Sequence, residues 1–439
     1  MTNRCLADWL TLLETRHPCE IELGLERVSA VWDRYKSNSY LSQPSKKQPI
    51  IITVAGTNGK GSCVACLQAL LLEHGYSVGT FTSPHFLQYN ERICLSGQPV
   101  SDNEIVSVFE TIETLRKETT LTYFEFNTLA ALIIFDRNEL DVILLEVGLG
   151  GRLDATNIID PDVAVLTSID LDHQQWLGET RSEIAIEKLG IARPNKPLVI
   201  GERDYPQNFQ QRVSDTEAIA LWCGHDFDYQ LEEPTFRARL STSLVDKSSR
   251  SSSPSASQID GLPIQGLLPI NKLLALQALV CSGIPLDREK CRSALSETRL
   301  NGRQQQVNYK GKTIILDVAH NPAAAIALGR SLENRQGKII AVASVLDDKD
   351  WSAMVAALDP VIDIWKIAEL DGISRAAKGH SLLKLLYNRG LQASLFATVN
   401  EAFIRALSEV SQDDIVVVFG SFHTVAKVMN IISAEVSSE

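Results

Sequence analysis

Short apolar runs rich in Ile, Val and Leu recur along this chain, and most stop abruptly in small or polar residues. Ile50-Ile51-Ile52-Thr53-Val54-Ala55 is the first of them. A β-branched run too short for a buried helix and bounded by turn formers reads as a strand covered on both faces. Tyr76–Thr82, Asp141–Val147, Asp162–Ser168 and Pro197–Gly201 repeat the pattern. Between the first two, Val64, Leu67, Leu71 and Leu72 fall at helical spacing, and Gly75 stands where a helix would end. Asp102–Lys117, Thr128–Arg137 and Glu183–Arg193 read as further helices. Strands alternating with helices predict an α/β fold, a mostly parallel sheet with helices on both faces.

A second series, Thr313–Val318, Lys338–Val345, Val361–Ala368 and Asp414–Phe419, follows a break near Thr298. At 439 residues the chain exceeds one ordinary core, so two unequal domains are expected, 1–297 and 298–439. The serine-rich stretch 246–258 reads as a disordered surface insertion, and the residues from Ala434 onward as a frayed tail.

Composition narrows the classes. With 44% hydrophobic and 22% charged residues the chain reads as a soluble globular protein. No apolar run reaches the roughly 18 residues of a membrane span. Met1 to Leu10 includes Arg4 and Asp8 and lacks a signal core, which suggests a cytoplasmic home. A net charge of −12 argues against nucleic acid, so any phosphate-bearing ligand must meet locally gathered positive charge. Cys63 and Cys66 form a CxxC pair inside a predicted helix with no second pair elsewhere, and read as small core residues.

Gly56-Thr57-Asn58-Gly59-Lys60-Gly61-Ser62 follows the first strand. Amides free of side-chain bulk, one lysine and a hydroxyl at a helix start make a triphosphate-binding loop. Gly61, between Lys60 and Ser62, departs from the common Walker spacing, and the bland reading is a tight turn. Glu146 ends a buried strand, where a carboxylate needs a partner: a salt bridge with Arg152, or magnesium near the loop. His173, after the strand ending at Ser168, reads as structural or as a metal or phosphate contact. Lys188, beside Glu187, reads by itself as a surface lysine. The second series ends in Asp317 to Pro322, Asp347 to Asp350, Glu369 to Asp371 and Gly420 to Thr424, the polar edge of an open sheet.

Together these segments resemble the Mur ligase superfamily, and within it the family of bacterial bifunctional dihydrofolate synthase/folylpolyglutamate synthases. The resemblance rests on Gly56–Ser62, Ser83–His85, Leu121–Glu125, Glu146–Asn157, Asp172-His173, Glu187–Ile191, Asn301–Gln304, Asp317–Pro322, Asp348–Asp350 and Gly420–Ala426. Glu146-Val-Gly-Leu-Gly-Gly-Arg-Leu-Asp-Ala-Thr-Asn157 is its most specific signature. It implies a P-loop, Mur-ligase-like domain and a smaller C-terminal Rossmann-like α/β domain, with ATP bound between them.

The implied site residues follow the same motifs. Asn58, Gly59, Lys60, Gly61, Ser62, Asn271, Arg303 and Asp317 would bind ATP. Ser83, Glu146 and His173 would hold magnesium, two ions in all, with potassium a further candidate. Lys188 would carry a carbamate, which turns a repelling ammonium into an oxygen donor; with Lys60 and His173 it completes the implied catalytic set. Leu23, Gly24, Leu25 and Glu26, then Thr122, Tyr123, Phe124 and Glu125, then Leu153, Asp154 and Ala155 would line the pteroate pocket. His320 and Ser421 are candidates for the incoming glutamate.

Departures from the family pattern are Leu189 after the lysine, Lys272-Leu273 after Asn271, and Asn301 and Gln304 about Arg303. The implied reaction is ATP-dependent ligation of L-glutamate to dihydropteroate and to tetrahydrofolates, by a monomer without nucleic-acid or membrane partners. A UDP-muramoyl-type ligase or a nucleotide-dependent binding switch are the alternative readings.

Overall fold

The apolar runs fold as strands, and strand order decides where their polar endings gather. The computed structural model describes residues 4–17, 21–38, 48–242, 256–333, 335–373 and 375–436. Two units result, Met1–Asp170 with Gln174–Thr298, and Leu171–His173 with Arg299–Glu439.

In the first unit the strands are β1 (Ile50–Ala55), β2 (Val78–Phe81), β3 (Ile93–Leu95), β4 (Gln98–Pro99), β5 (Val142–Glu146), β6 (Val163–Leu166), β7 (Pro197–Ile200) and β8 (Ile219–Trp222). They lie in the order β4-β3-β2-β5-β1-β6-β7-β8. All neighbours from β2 to β8 pair in parallel, and β3 and β4 add an antiparallel edge. After β1 the chain passes to β2 on one flank and later to β6 on the other. Such a reversal opens a crevice at the carboxyl end of the strand between, here β1.

The helix expected from Thr128 begins five residues sooner, at Tyr123. Thr122 Oγ1 accepts from Glu125 N at 3.2 Å, and Glu125 Oε2 accepts from Thr122 N at 2.8 Å. This reciprocal cap satisfies two end groups at once, and its Thr-x-x-Glu spacing places the helix start where the apolar periodicity alone does not. Similarly, the helix expected over Glu183–Arg193 runs Arg181–Leu189, started by Thr180 and Glu183. Trp9, on the helix Leu6–Arg16, packs edge-on against Phe109 at 5.8 Å, and Phe109 meets Phe126 at 5.2 Å, so the amino-terminal helix shares this core.

The expected elements do not include the antiparallel sheet of β9 (Asp228–Glu232), β10 (Thr235–Ser241) and β11 (Ala256–Pro263). Residues 246–255 of the serine-rich stretch lie outside the described residues. Ala256, Ser257 and Gln258 are no part of a disordered insertion, because they pair in β11 with Ser241, Leu240 and Arg239.

The second unit holds β12 (Gln305–Tyr309), β13 (Lys312–Leu316), β14 (Ile339–Ala343), β15 (Ile364–Ala368), β16 (Ala393–Phe396) and β17 (Ile415–Phe419). Their order is β12-β13-β17-β14-β15-β16. It opens with a hairpin, not with the expected strand and helix: Lys310 and Gly311 take φ values of 52° and 73°, and β12 returns antiparallel along β13. Insertion of β17 between β13 and β14 brings three strand ends, distant in sequence, side by side. Trp351, Trp365 and Phe419 pack in its core, Trp365 edge-on to both of the others. The last helix, Phe422–Val436, holds residues 434–436 in place of the expected frayed tail, and residues 437–439 lie outside the described residues. Among the described residues no helix is long and apolar enough to cross a membrane.

Candidate active site

Gly59 closes the loop after β1 in the left-handed region, at φ 88°, and caps the helix Lys60–Glu73. A Cβ there would lie 2.5 Å from Asn271 Oδ1, so space as well as backbone demands glycine. Asn271, in the first turn of Pro269–Cys281, thus stands against the loop. The end of β6 braces the other side. Asn58 N donates to Ser168 Oγ at 2.9 Å, while Asn58 O accepts from Thr167 Oγ1 at 2.6 Å and from Ser168 Oγ at 3.1 Å. Sequence reasoning gave those two hydroxyls no role. Lys60 Nζ donates to Gly56 O at 2.9 Å and to Thr57 O at 3.3 Å, and Ser62 is buried in the first turn. Helix amides with a lysine beside them form an anion cradle.

Glu146 ends β5 in register with Val54 of β1, level with the start of this loop. It is buried, and its Oε2 accepts from Ser83 N at 3.2 Å. Adjacency of β2, β5 and β1 therefore joins Ser83, Glu146 and the loop. The alternative salt bridge does not form, because Arg152 Nη2 pairs with Glu187 Oε1 at 2.7 Å. A buried carboxylate beside a serine is an oxygen donor set of the kind magnesium takes.

Lys188 is buried in the last turn of its helix and is no surface lysine. A Cβ on Gly151 would come within 2.8 Å of the carbonyl oxygens of Glu187 and Lys188. The glycine pair after β5 lets its loop lie flat on that turn, and Arg152 N donates to Glu187 O at 2.7 Å.

The three segments expected to hold pteroate converge in the first unit. Gly24 N donates to Leu153 O at 3.4 Å. Arg27 bridges Glu22 and Glu125, reaching Glu125 Oε1 at 3.1 Å. Phe124 lies so close over Gly148 that a Cβ there would meet its ring at 2.5 Å. Two carboxylates of these segments are already committed. Glu125 caps its own helix and pairs with Arg27. Asp154 accepts from Thr156 Oγ1 at 2.6 Å, Thr156 N at 3.0 Å and Leu149 N at 2.9 Å, and burial pushes its carboxyl up despite them. These two side chains shape the walls, whereas Tyr123 and Phe124 are half-buried.

In the second unit Asp317 follows β13. Its Oδ2 accepts from Gln304 N at 2.9 Å and its Oδ1 from Ala319 N at 2.7 Å. Burial raises its carboxyl against the lowering charge of Arg303, whose guanidinium lies 5.3 Å from the Phe422 ring. His320 Nδ1 donates to Val318 O at 2.8 Å, and Nε2 stands 3.3 Å from Asp172 Oδ2. Lys349 Nζ reaches Asp172 Oδ1 at 2.6 Å and Asp348 Oδ2 at 3.0 Å. Burial alone would raise Asp172, but the His320 hydrogen bond and the charges of His173, His320 and Lys349 hold it well below the usual carboxylate range.

Asp172, His173 and Asp348 could converge on a metal ion. The Lys349 ammonium already bonds both carboxylates, so a cation holds that place. Ser421 is buried, its Oγ 2.7 Å from Thr424 Oγ1 and accepting from Thr424 N at 3.1 Å, which makes the hydroxyl a brace for the last helix. Asp172 and Lys349 enter the sequence reading as parts of polar strand ends and of family motifs, with no role of their own; no local spacing joins positions so far apart.

The chain matches the Mur ligase middle domain over residues 54–233 and the Mur ligase glutamate ligase domain over residues 302–422. The dihydrofolate synthase/folylpolyglutamate synthase of Escherichia coli (strain K12) is 39% identical over 431 residues, covering 98% of this chain and 96% of that protein. This chain belongs to the dihydrofolate synthase/folylpolyglutamate synthase family of Mur ligases. The solved structure of E. coli FolC in complex with DHPP and ADP aligns with a TM-score of 0.89 at 38% identity, covering 99% of both chains. A bifunctional folylpolyglutamate synthase/dihydrofolate synthase with Mn, AMPPNP and L-glutamate bound aligns at 0.86 and 40% identity, covering 98% of both. The fold is the α/β architecture of Mur ligase middle and C-terminal domains, and the chain is an ATP-dependent ligase of this family.

Proposed function

We propose that this ligase joins L-glutamate to dihydropteroate and to the γ-carboxylate of reduced folates, in the cytoplasm, through an acyl phosphate. The observation that carries the reading is the meeting of the phosphate loop with the Ser83–Glu146 pair on adjacent strands, in the unit that also gathers Gly24, Phe124 and Leu153. The relatives bound to DHPP, to ADP or AMPPNP and to L-glutamate lend support.

A carboxylate is a poor electrophile, and phosphorylation gives it a leaving group. The acceptor carboxylate attacks the ATP γ-phosphate in line and ADP departs. The glutamate amine then attacks the acyl carbon, and phosphate leaves through a tetrahedral intermediate. Lys60 and the first amides of its helix offset charge on the transferring phosphoryl group. Magnesium, for which Ser83, Glu146 and His173 are the proposed ligands, would supply Lewis-acid charge at the phosphates.

Asn271, Arg303 and Asp317 are assigned to ATP and Lys188 to the carbamate. His320 is assigned to the incoming glutamate, in preference to Ser421, whose hydroxyl is spent on the helix. We assign the ATP and pteroate functions to domain 1–297 and glutamate binding to domain 298–439. The test is product analysis: with ATP and L-glutamate, dihydropteroate and tetrahydrofolate should each gain glutamate, detected by mass. Folded enzyme that glutamylates neither would overturn the proposal.

A further inference from the structure

Arg92 ends the 3-10 turn Tyr89–Arg92 and is only 8% exposed. Its Nε donates to His85 Nδ1 at 2.8 Å. The guanidinium carbon lies 6.0 Å from the ring centroid of Tyr89 and 5.5 Å from that of Tyr123. These partners are neutral: an imidazole nitrogen and two aromatic faces. No carboxylate among the described residues pairs with it. The adjacent Glu91 is committed elsewhere, accepting from the amides of Phe86, Leu87 and Gln88 at 2.8 Å each. The half-buried arginines of this unit find oxygen acceptors instead: Arg27 pairs with Glu22 and Glu125, Arg16 with Glu113, and Arg34 donates to the carbonyls of Leu115 and Arg116.

A guanidinium removed from water without an anion is costly, and its planar fork matches a carboxylate. His85 offers no negative charge. It accepts at Nδ1, so its proton sits on Nε2. The surroundings define the missing anion. Tyr123 belongs to the segment assigned to pteroate, and His85 lies two residues beyond Ser83, which touches Glu146. The guanidinium therefore touches both the segment assigned to the acceptor, at Tyr123, and a residue two positions from the proposed magnesium ligand Ser83. Tyr89 OH donates to Asn127 Oδ1 at 2.8 Å, which fixes the ring under it.

We propose that Arg92, oriented by His85, binds a carboxylate of the acceptor substrate. This rests on the folate-ligase reading. Two carboxylates qualify: the reacting one, present in every acceptor, and the α-carboxylate of a glutamyl residue, which dihydropteroate lacks.

The experiment compares wild type, Arg92→Met and Arg92→Lys with dihydropteroate and with tetrahydrofolate as acceptors. Arg92→Met should raise the acceptor KM about tenfold or more, the loss of a charge-assisted hydrogen bond, while KM for ATP and for L-glutamate stays within about twofold. Arg92→Lys keeps charge without the fork and should recover part of the loss, and it supplies the reading if the Met variant does not fold. A rise confined to tetrahydrofolate assigns the α-carboxylate; a rise with both acceptors assigns the reacting one. An unchanged acceptor KM in a variant that melts like wild type, or an equal rise in the KM for ATP, overturns the proposal. Wild type that glutamylates neither acceptor would instead overturn the functional reading on which it rests.

Discussion

Each of the two sheets gathers its candidate site residues at the carboxyl ends of its own parallel strands, but holds them by different means. In the first unit one loop between β1 and its helix carries most of the candidate ATP contacts. It is fixed by amides, carbonyls and the short hydroxyls of Thr167 and Ser168. In the second unit the edge is held by charge: Asp172 binds His320 and Lys349, and Asp317 is raised by burial and opposed by Arg303. A backbone-built site depends on a few glycines and survives changes around it. A charge-built one depends on each partner, because removing one leaves another buried and uncompensated.

The contrast can be broken first at Lys188, whose buried place on the helix under Gly151 suits a modified side chain. Lys188→Ala should lower turnover about a hundredfold or more, as for loss of a group stabilising charge in the transition state, and short carboxylic acids should restore part of it. Full activity in that variant would remove the carbamate role.

Asp172→Asn sharpens the comparison in the second unit. It should raise the KM for L-glutamate about tenfold, since His320 loses its charged anchor, with less effect on the KM for ATP. It should also cost about 1–3 kcal/mol of stability at neutral pH, read by chemical denaturation. Because the folded-state pKa of Asp172 is depressed, its contribution is fully present above the ordinary carboxylate pKa of about 4 and is lost as pH falls through the folded value. The gap between wild type and variant should therefore narrow on acidification, and a gap constant with pH would contradict the assignment. The smallest effect belongs to Thr122→Ala, which removes one half of a reciprocal helix cap. It should cost about 1 kcal/mol and leave the KM for ATP unchanged.

Legibility in the sequence followed the same division. Successive residues from Gly56 to Ser62 announced the phosphate loop because strand, glycines, lysine and hydroxyl are contiguous. Glu146 was suspicious at once, as a carboxylate closing an apolar run. Its partner Ser83 came from the family resemblance, because only sheet order brings β2 beside β5. The triad of Asp172, His320 and Lys349 was invisible to local spacing, as was the insertion of β17 between β13 and β14. Residues 228–240 do alternate, with Tyr229 and Leu231 and then Phe236, Ala238 and Leu240 at every second position about Glu233-Pro234, a hairpin signal too short to stand out beside the longer apolar runs. The polarity of Ser257 and Gln258 pointed to disorder where cross-strand pairing with β10 prevails. Asp154 and Glu125 carry a second task that their motifs did not announce: each carboxylate also holds its own loop or helix start in place.

The central claim is that the loop after β1 delivers the γ-phosphate of ATP to an acceptor carboxylate. Its most direct test is ADP release by wild type and Lys60→Ala, with dihydropteroate and L-glutamate supplied singly and together. Release that needs both substrates in the wild type and vanishes in the variant is the predicted result. Steady release from ATP alone, or unimpaired turnover without the Lys60 ammonium, would contradict it.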